Sequence, residues 1–116
     1  MFEIKIVIDG VTLHELKSMA ENQFGSLVKA VVDVERKMMA IGGELHSDEE
    51  TIMIENGSLQ KDLWGINIYP EQPGADRIEF DSMINIRPYL GNKSRSVENH
   101  DTQIRILEIT NQLIKD

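Results

Sequence analysis

Along the chain, stretches in which every second residue is apolar give way to stretches in which apolar residues recur every three or four, and these changes of period mark out its elements. Phe2 to Ile8 alternates as an edge strand closed by Asp9-Gly10. A helix follows. Thr12 and Glu15 have the spacing of a capping box, in which hydroxyl and carboxylate serve backbone N–H groups of the first turn. Leu13, Leu16, Met19 and Ala20 then form one apolar stripe that ends near Phe24-Gly25, leaving His14 off the stripe and on the surface. From Leu27 to Gly42 the period returns to two. Val28, Ala30, Val32 and Val34 fall on one face and Lys29, Val31, Asp33 and Glu35 on the other, and Met38 to Ile41 returns beside them as a hairpin around Arg36-Lys37.

Ser47-Asp48-Glu49-Glu50 repeats the capping-box spacing and predicts a short helix from Asp48 to Glu55, ended by Asn56-Gly57. The competing reading is a strand, because Thr51-Ile52-Met53-Ile54 is rich in β-formers and Asn56-Gly57 is also a hairpin signal. Leu63 to Tyr69 and Arg77 to Arg87 are two further strands, separated by Pro70-Glu71-Gln72-Pro73-Gly74, which cannot continue a ladder. A last helix from Asp101 to Ile114 carries a broad apolar face of Ile104, Ile106, Leu107, Ile109, Leu113 and Ile114. The order βαββαββα predicts an α+β two-layer sandwich, with helices on one face of a mainly antiparallel sheet.

Alternation carries a spatial expectation. Trp64, Ile66 and Ile68 share one face of their strand and leave Gly65, Asn67 and Tyr69 on the other; Ile78, Phe80, Ile84 and Ile86 leave Asp81, Asn85 and Arg87 opposite them. If the oily faces lie under the helices, Asn67, Tyr69, Asp81, Asn85 and Arg87 gather on a helix-free face as a hydrogen-bonding platform. The plainer reading of the same pattern is a solvated sheet face with a few cross-strand polar pairs.

Composition narrows the classes. The 116 residues, 41% hydrophobic and 28% charged, suit one globular domain with one core. The N-terminal apolar stretch is too short and interrupted for a signal peptide, and no run approaches the roughly 18 apolar residues of a membrane span, so the expectation is a soluble cytoplasmic protein. The absence of cysteine removes disulfide frameworks, thiolate zinc sites and cysteine nucleophiles. A formal charge of −8 opposes non-specific binding to nucleic acid, which depends on Lys and Arg neutralising phosphates, and otherwise serves solubility.

Three segments, Ile41-Gly42-Gly43-Glu44-Leu45-His46, Leu63-Trp64-Gly65-Ile66-Asn67-Ile68-Tyr69-Pro70 and Ile84-Asn85-Ile86-Arg87-Pro88 with Gly91-Asn92, resemble a small prokaryotic family catalogued only as a domain of unknown function. The likeness covers most of the chain from Leu13 onward. It implies a single-domain prokaryotic protein and carries no activity, cofactor or catalytic residue.

Candidate chemistry sits in three places. Glu44, His46 and Asp48 combine carboxylate and imidazole, a set that holds a divalent transition metal if all three converge, although their spacing matches no established ligand motif. Acidic residues there are equally explained by a helix N-terminus, and His46 by a hydrogen bond at a strand end. Gly42-Gly43 precedes a helix as a phosphate loop does, but Asp48, Glu49 and Glu50 would repel a phosphate, which favours a conformational role. Residues 87–96 carry Arg87, Lys93 and Arg95 with no acidic residue. The two arginine guanidiniums suit a forked contact to an anionic ligand, and the plain alternative is pairing of all three with the molecule's own acidic surface. A loose catalytic assembly is also open, with His46 as general base, Glu44 orienting it and Arg87 or Arg95 stabilising an anionic transition state. No G-x-S-x-G, P-loop or H-E-x-x-H pattern supports another reaction class. The expectation is therefore a binding module with no cofactor, taking a small anionic ligand or a protein partner through Asn67, Tyr69, Asp81, Asn85, Arg87 and Arg95. A small hydrolase or nuclease centred on His46 and a homo-oligomer joined through the sheet are the alternatives.

Overall fold

In the computed structural model, which describes residues 2–116, β1 (Lys5–Val7) leads through the two-residue β2 (Val11–Thr12) into α1 (Leu13–Asn22). Thr12 caps α1 as its spacing to Glu15 predicts: its hydroxyl oxygen accepts the Glu15 N–H at 3.1 Å. β3 (Val28–Asp33) and β4 (Met38–Ile41) form the expected hairpin. Its turn lacks glycine because Asp33 does the work: Oδ1 accepts the N–H groups of Glu35 and Arg36, both at 2.9 Å, while Oδ2 accepts the Ser58 hydroxyl at 2.7 Å. Lys37 takes the left-handed conformation at φ 56°.

Of the two readings of residues 46–55 the helix is the one that forms, as α2 (His46–Glu55), and it starts two residues before the capping-box signal. Its N-cap is Leu45, which offers no side-chain acceptor; Ser47 does not cap. Glu50, which would close the box with Ser47, has its Oε2 buried without a partner, and Glu49 beside it also turns inward, its carboxylate accepting the Gly43 N–H at 2.9 Å. β5 (Leu63–Ile68) follows, then β6 (Ile78–Glu79), α3 (His100–Leu113) and β7 (Ile114–Lys115).

The main sheet has the order β1-β4-β3-β5-β6, with every neighbouring pair antiparallel; β2 and β7 make a separate two-residue parallel pair. The class is α+β with a mainly antiparallel sheet, as the element order predicts. One face carries Val28, Ala30, Val32, Met39, Ile41, Trp64, Ile66 and Ile68, packed on Leu16 and Ala20 of α1 and Ile106, Ile109 and Leu113 of α3. Each such fully buried aliphatic side chain contributes about 1.5–3 kcal/mol.

The layering differs from the expectation in one particular: the opposite face is not helix-free, because α2 lies on it. Met53 packs there on Val31, Met38, Ala40 and Leu63. The strand predicted for Arg77 to Arg87 is also shorter. After β6 the chain leaves the ladder, makes a turn of 3-10 helix at Met83–Asn85 and another at Pro88–Leu90. Side chains replace the missing strand. The Asn85 carboxamide accepts the Gly65 N–H at 2.8 Å and donates to the Gly65 carbonyl at 2.9 Å, as a paired strand would. Gly65 is required by the closeness of this approach, since a Cβ there would meet the Ser82 Cβ at 2.5 Å. Among the described residues, no helix is long and apolar enough to cross a membrane.

Candidate functional site

Over the α2 face, Lys29 of β3 and Asn67 of β5 stand directly opposite each other in the ladder. Strand alternation points both side chains away from the apolar core, because Val28, Ala30, Ile66 and Ile68 take the other face. They belong to a cavity of about 420 Å³, walled by Leu45, His46 and Ser47 at the start of α2, by Asp81 to Ile84 and Arg95, and by Phe24 and Leu27. That volume is within the roughly 300–1,000 Å³ of small-ligand sites.

His46 reaches from the first turn of α2 to the strand below, with Nε2 2.8 Å from the Ile66 carbonyl oxygen. A carbonyl can only accept, so Nε2 carries the hydrogen and Nδ1 keeps a lone pair while the ring is neutral. Burial pushes the imidazole below its ordinary value. The Ile66 carbonyl and Asp81 oppose that shift, while Lys29 and Arg95 add to it. The imidazole thus senses charges from three separated parts of the sequence.

Asn67 is 7% exposed. Its Nδ2 donates to Glu79 Oε1 at 2.8 Å and to the Asp81 carbonyl at 3.3 Å, and its Oδ1 is buried with no partner. Tyr69 donates to the same Glu79 oxygen at 3.0 Å, so it braces the asparagine from outside the cavity. Lys29 lies over the Phe24 ring, with Nζ 4.8 Å from the centroid, a cation–π contact, and pairs with no carboxylate among the described residues. Arg95 and Asp81 form an ion pair at the rim.

The structure therefore brings His46, Asn67, Asp81 and Arg95 together and leaves Tyr69, Asn85, Arg87, Glu44 and Asp48 out of the cavity lining. Asn85 and Arg87 face the edge of β5. Besides the Asn85 contacts to Gly65, Arg87 donates to the carbonyls of Gln60, Leu63 and Ile84, and its guanidinium stacks 4.6 Å from the Trp64 ring centroid. Glu44 and Asp48 are exposed, and among the described residues no three of His, Asp and Glu form a group that could hold a metal ion. The basic stretch 87–96 is largely engaged within the molecule: Arg95 on Asp81, Arg87 on backbone carbonyls, and the N–H groups of Lys93 and Ser94 on Glu98, both at 2.8 Å. Asn92 ties this loop down, donating to the Asn85 and Ser96 carbonyls, both at 2.7 Å.

Lys29, Ser47 and Ser82 are the polar cavity residues that sequence reasoning passed over. A signal for Lys29 exists, since it stands opposite Val28 and Ala30 in the alternation, but only the β3–β5 register sets it beside Asn67.

Residues 5–113 match a family model described as a protein of unknown function (DUF5674). No curated protein and no solved structure matches the chain.

Proposed function

The chain belongs to the DUF5674 family of unknown function, and from this premise we propose, on the geometry alone, that it is a binding protein for a small polar molecule held in the cavity beside His46. One observation carries the reading. Five side chains from five parts of the sequence, Lys29, His46, Asn67, Asp81 and Arg95, meet around one cavity, and the most buried of them has an acceptor atom without a donor. An unpartnered buried carboxamide oxygen costs about 1–3 kcal/mol, which a bound ligand can recover.

Binding is favoured over the hydrolytic alternative by what surrounds the imidazole. His46 Nε2 is tied to the backbone, and the cavity's carboxylate, Asp81, is engaged by Arg95 rather than by the imidazole. Neither arrangement activates a nucleophile in the manner of a base with its orienting partner.

The test is a thermal-shift panel on the purified chain with the common amino acids, nucleoside monophosphates, di- and tricarboxylates and sugar phosphates. A ligand at about 100 times its dissociation constant adds about 2.7 kcal/mol, a shift of several degrees for a chain of this size. The expected result is at least one saturable shift that is absent in Asn67→Ala and in His46→Ala. A flat panel with well-folded protein rejects the reading.

A further inference from the structure

The cavity offers both charges to a ligand, and two of its groups are left open for one: Lys29 has no carboxylate partner among the described residues, and Asn67 Oδ1 has no donor. One set is of donors, the Lys29 ammonium and the start of α2, whose N-cap Leu45 provides no side-chain acceptor. A helix N-terminus with unsatisfied N–H groups next to an ammonium favours a carboxylate or another oxyanion. A second set is of acceptors: the buried Oδ1 of Asn67, the lone pair on His46 Nδ1, and the Asp81 carboxylate, which also pairs with Arg95. A simple anion would satisfy the first set and face repulsion from the second. A simple cation would do the reverse. The rim between them is apolar, with Phe24 40%, Leu45 52% and Met83 65% exposed, and Leu27 and Ile84 beneath.

We propose that the ligand is a free α-amino acid with an apolar side chain, its carboxylate on Lys29 and the start of α2, its ammonium on Asn67 Oδ1 and His46 Nδ1 beside Asp81, and its side chain against Phe24, Leu45 and Met83. The inference rests on the binding function proposed above and names the class of molecule that the site takes. The ammonium supplies the donor that Asn67 Oδ1 lacks. Phe24 both covers the side chain and holds Lys29 in place through its ring face.

Isothermal titration of the unaltered protein with L-leucine and L-methionine tests this, alongside N-acetyl-L-leucine, which lacks the ammonium, and L-leucinamide, which lacks the carboxylate. Saturable one-to-one binding of L-leucine or L-methionine is expected, with a loss of at least tenfold for each blocked derivative. Lys29→Gln should weaken L-leucine at least tenfold while leaving L-leucinamide unchanged. If either blocked derivative binds as well as L-leucine, the zwitterion assignment is overturned. If the amino acids fail while a nucleotide or a polycarboxylate from the panel binds, this inference falls and the binding function stands; if nothing binds, both fall.

Discussion

The two faces of the sheet are built from the same strands and do different work. Under α1 and α3, eight strand residues and five helix residues are all apolar, and this side holds most of the core. Under α2 the same strands present Lys29, Val31, Asp33, Leu63, Gly65 and Asn67, and α2 lowers His46, Glu49, Glu50 and Met53 toward them, at the three- and four-residue spacing of a single helical stripe. Ordinarily that stripe is apolar, yet α2 instead leaves Ile54 and Leu45 about half exposed. Glu49 Oε1, Glu50 Oε2 and Asn67 Oδ1, three of the four buried unpartnered side-chain atoms among the described residues, lie on this side. Native proteins bury few such atoms, and their concentration on one face marks where stability has yielded to another demand.

The sharpest way to break this contrast is to remove one anchor from each face and compare. Ile106→Ala empties a fully buried position of α3 and should cost about 2–5 kcal/mol. Asn85→Ala removes a polar side chain of similar burial. It leaves the Gly65 N–H and carbonyl and the Arg95 carbonyl without their partner, and at about 1–3 kcal/mol for each unsatisfied group the loss should be at least as large. Urea unfolding measures both. A cost below about 1 kcal/mol for Asn85→Ala would show that the polar network of the second face contributes little to stability.

A smaller effect separates the faces by pH. Burial raises the Glu49 carboxyl well above its ordinary 4.5, opposed by the Gly43 N–H and by Lys29. With the folded value above the unfolded one, the protonated form is the one that folding favours. The associated stability is complete below about pH 4.5 and is lost as pH rises through the folded value. Glu49→Gln keeps an acceptor for Gly43 and removes the titration, so its melting temperature should exceed that of the parent at pH 8 and match it near pH 4. Equal gains at both pH values would show that Glu49 is not the source of the slope.

This contrast also explains how much the sequence discloses. The apolar face follows from periodicity alone, because every residue on it obeys the period of its own element, and the element order, the Thr12 cap and the β3–β4 hairpin follow with it. The α2 face obeys other rules. Asn85 and Arg87 sit in phase with a strand that is not there, since side-chain bonds to Gly65, Leu63 and Gln60 make up for the ladder that β6 abandons. Such substitution requires the positions of two backbone segments twenty residues apart, which no local pattern contains. His46, Asn67, Asp81 and Arg95 were legible as polar residues in the right kind of place. Their meeting point depended on the β3–β5 register and on α2 crossing the second face, and the same crossing places Lys29 among them.

The smallest predicted effect joins the stability of this face to its chemistry. Burial holds the His46 imidazole below its usual 6.5, so here the neutral form is the one that folding favours. Its contribution is present above pH 6.5 and is lost as pH falls through the folded value, a slope opposite in sign to that of Glu49. Because His46 is half-buried rather than enclosed, the slope should be the shallower of the two. Protonation also turns Nδ1 from acceptor to donor and places a positive charge where the amino-acid ammonium is proposed to sit. In Glu49→Gln, which removes the opposing slope, melting temperature should therefore decline as pH falls below 6.5, and L-leucine affinity should decline as pH falls through the lower folded value of His46. In Glu49→Gln/His46→Gln the stability slope should flatten over this range. If affinity stays unchanged down to the pH at which that His46 stability slope levels off and below it, the imidazole only braces the cavity, and the ammonium is held by Asn67 and Asp81 without it.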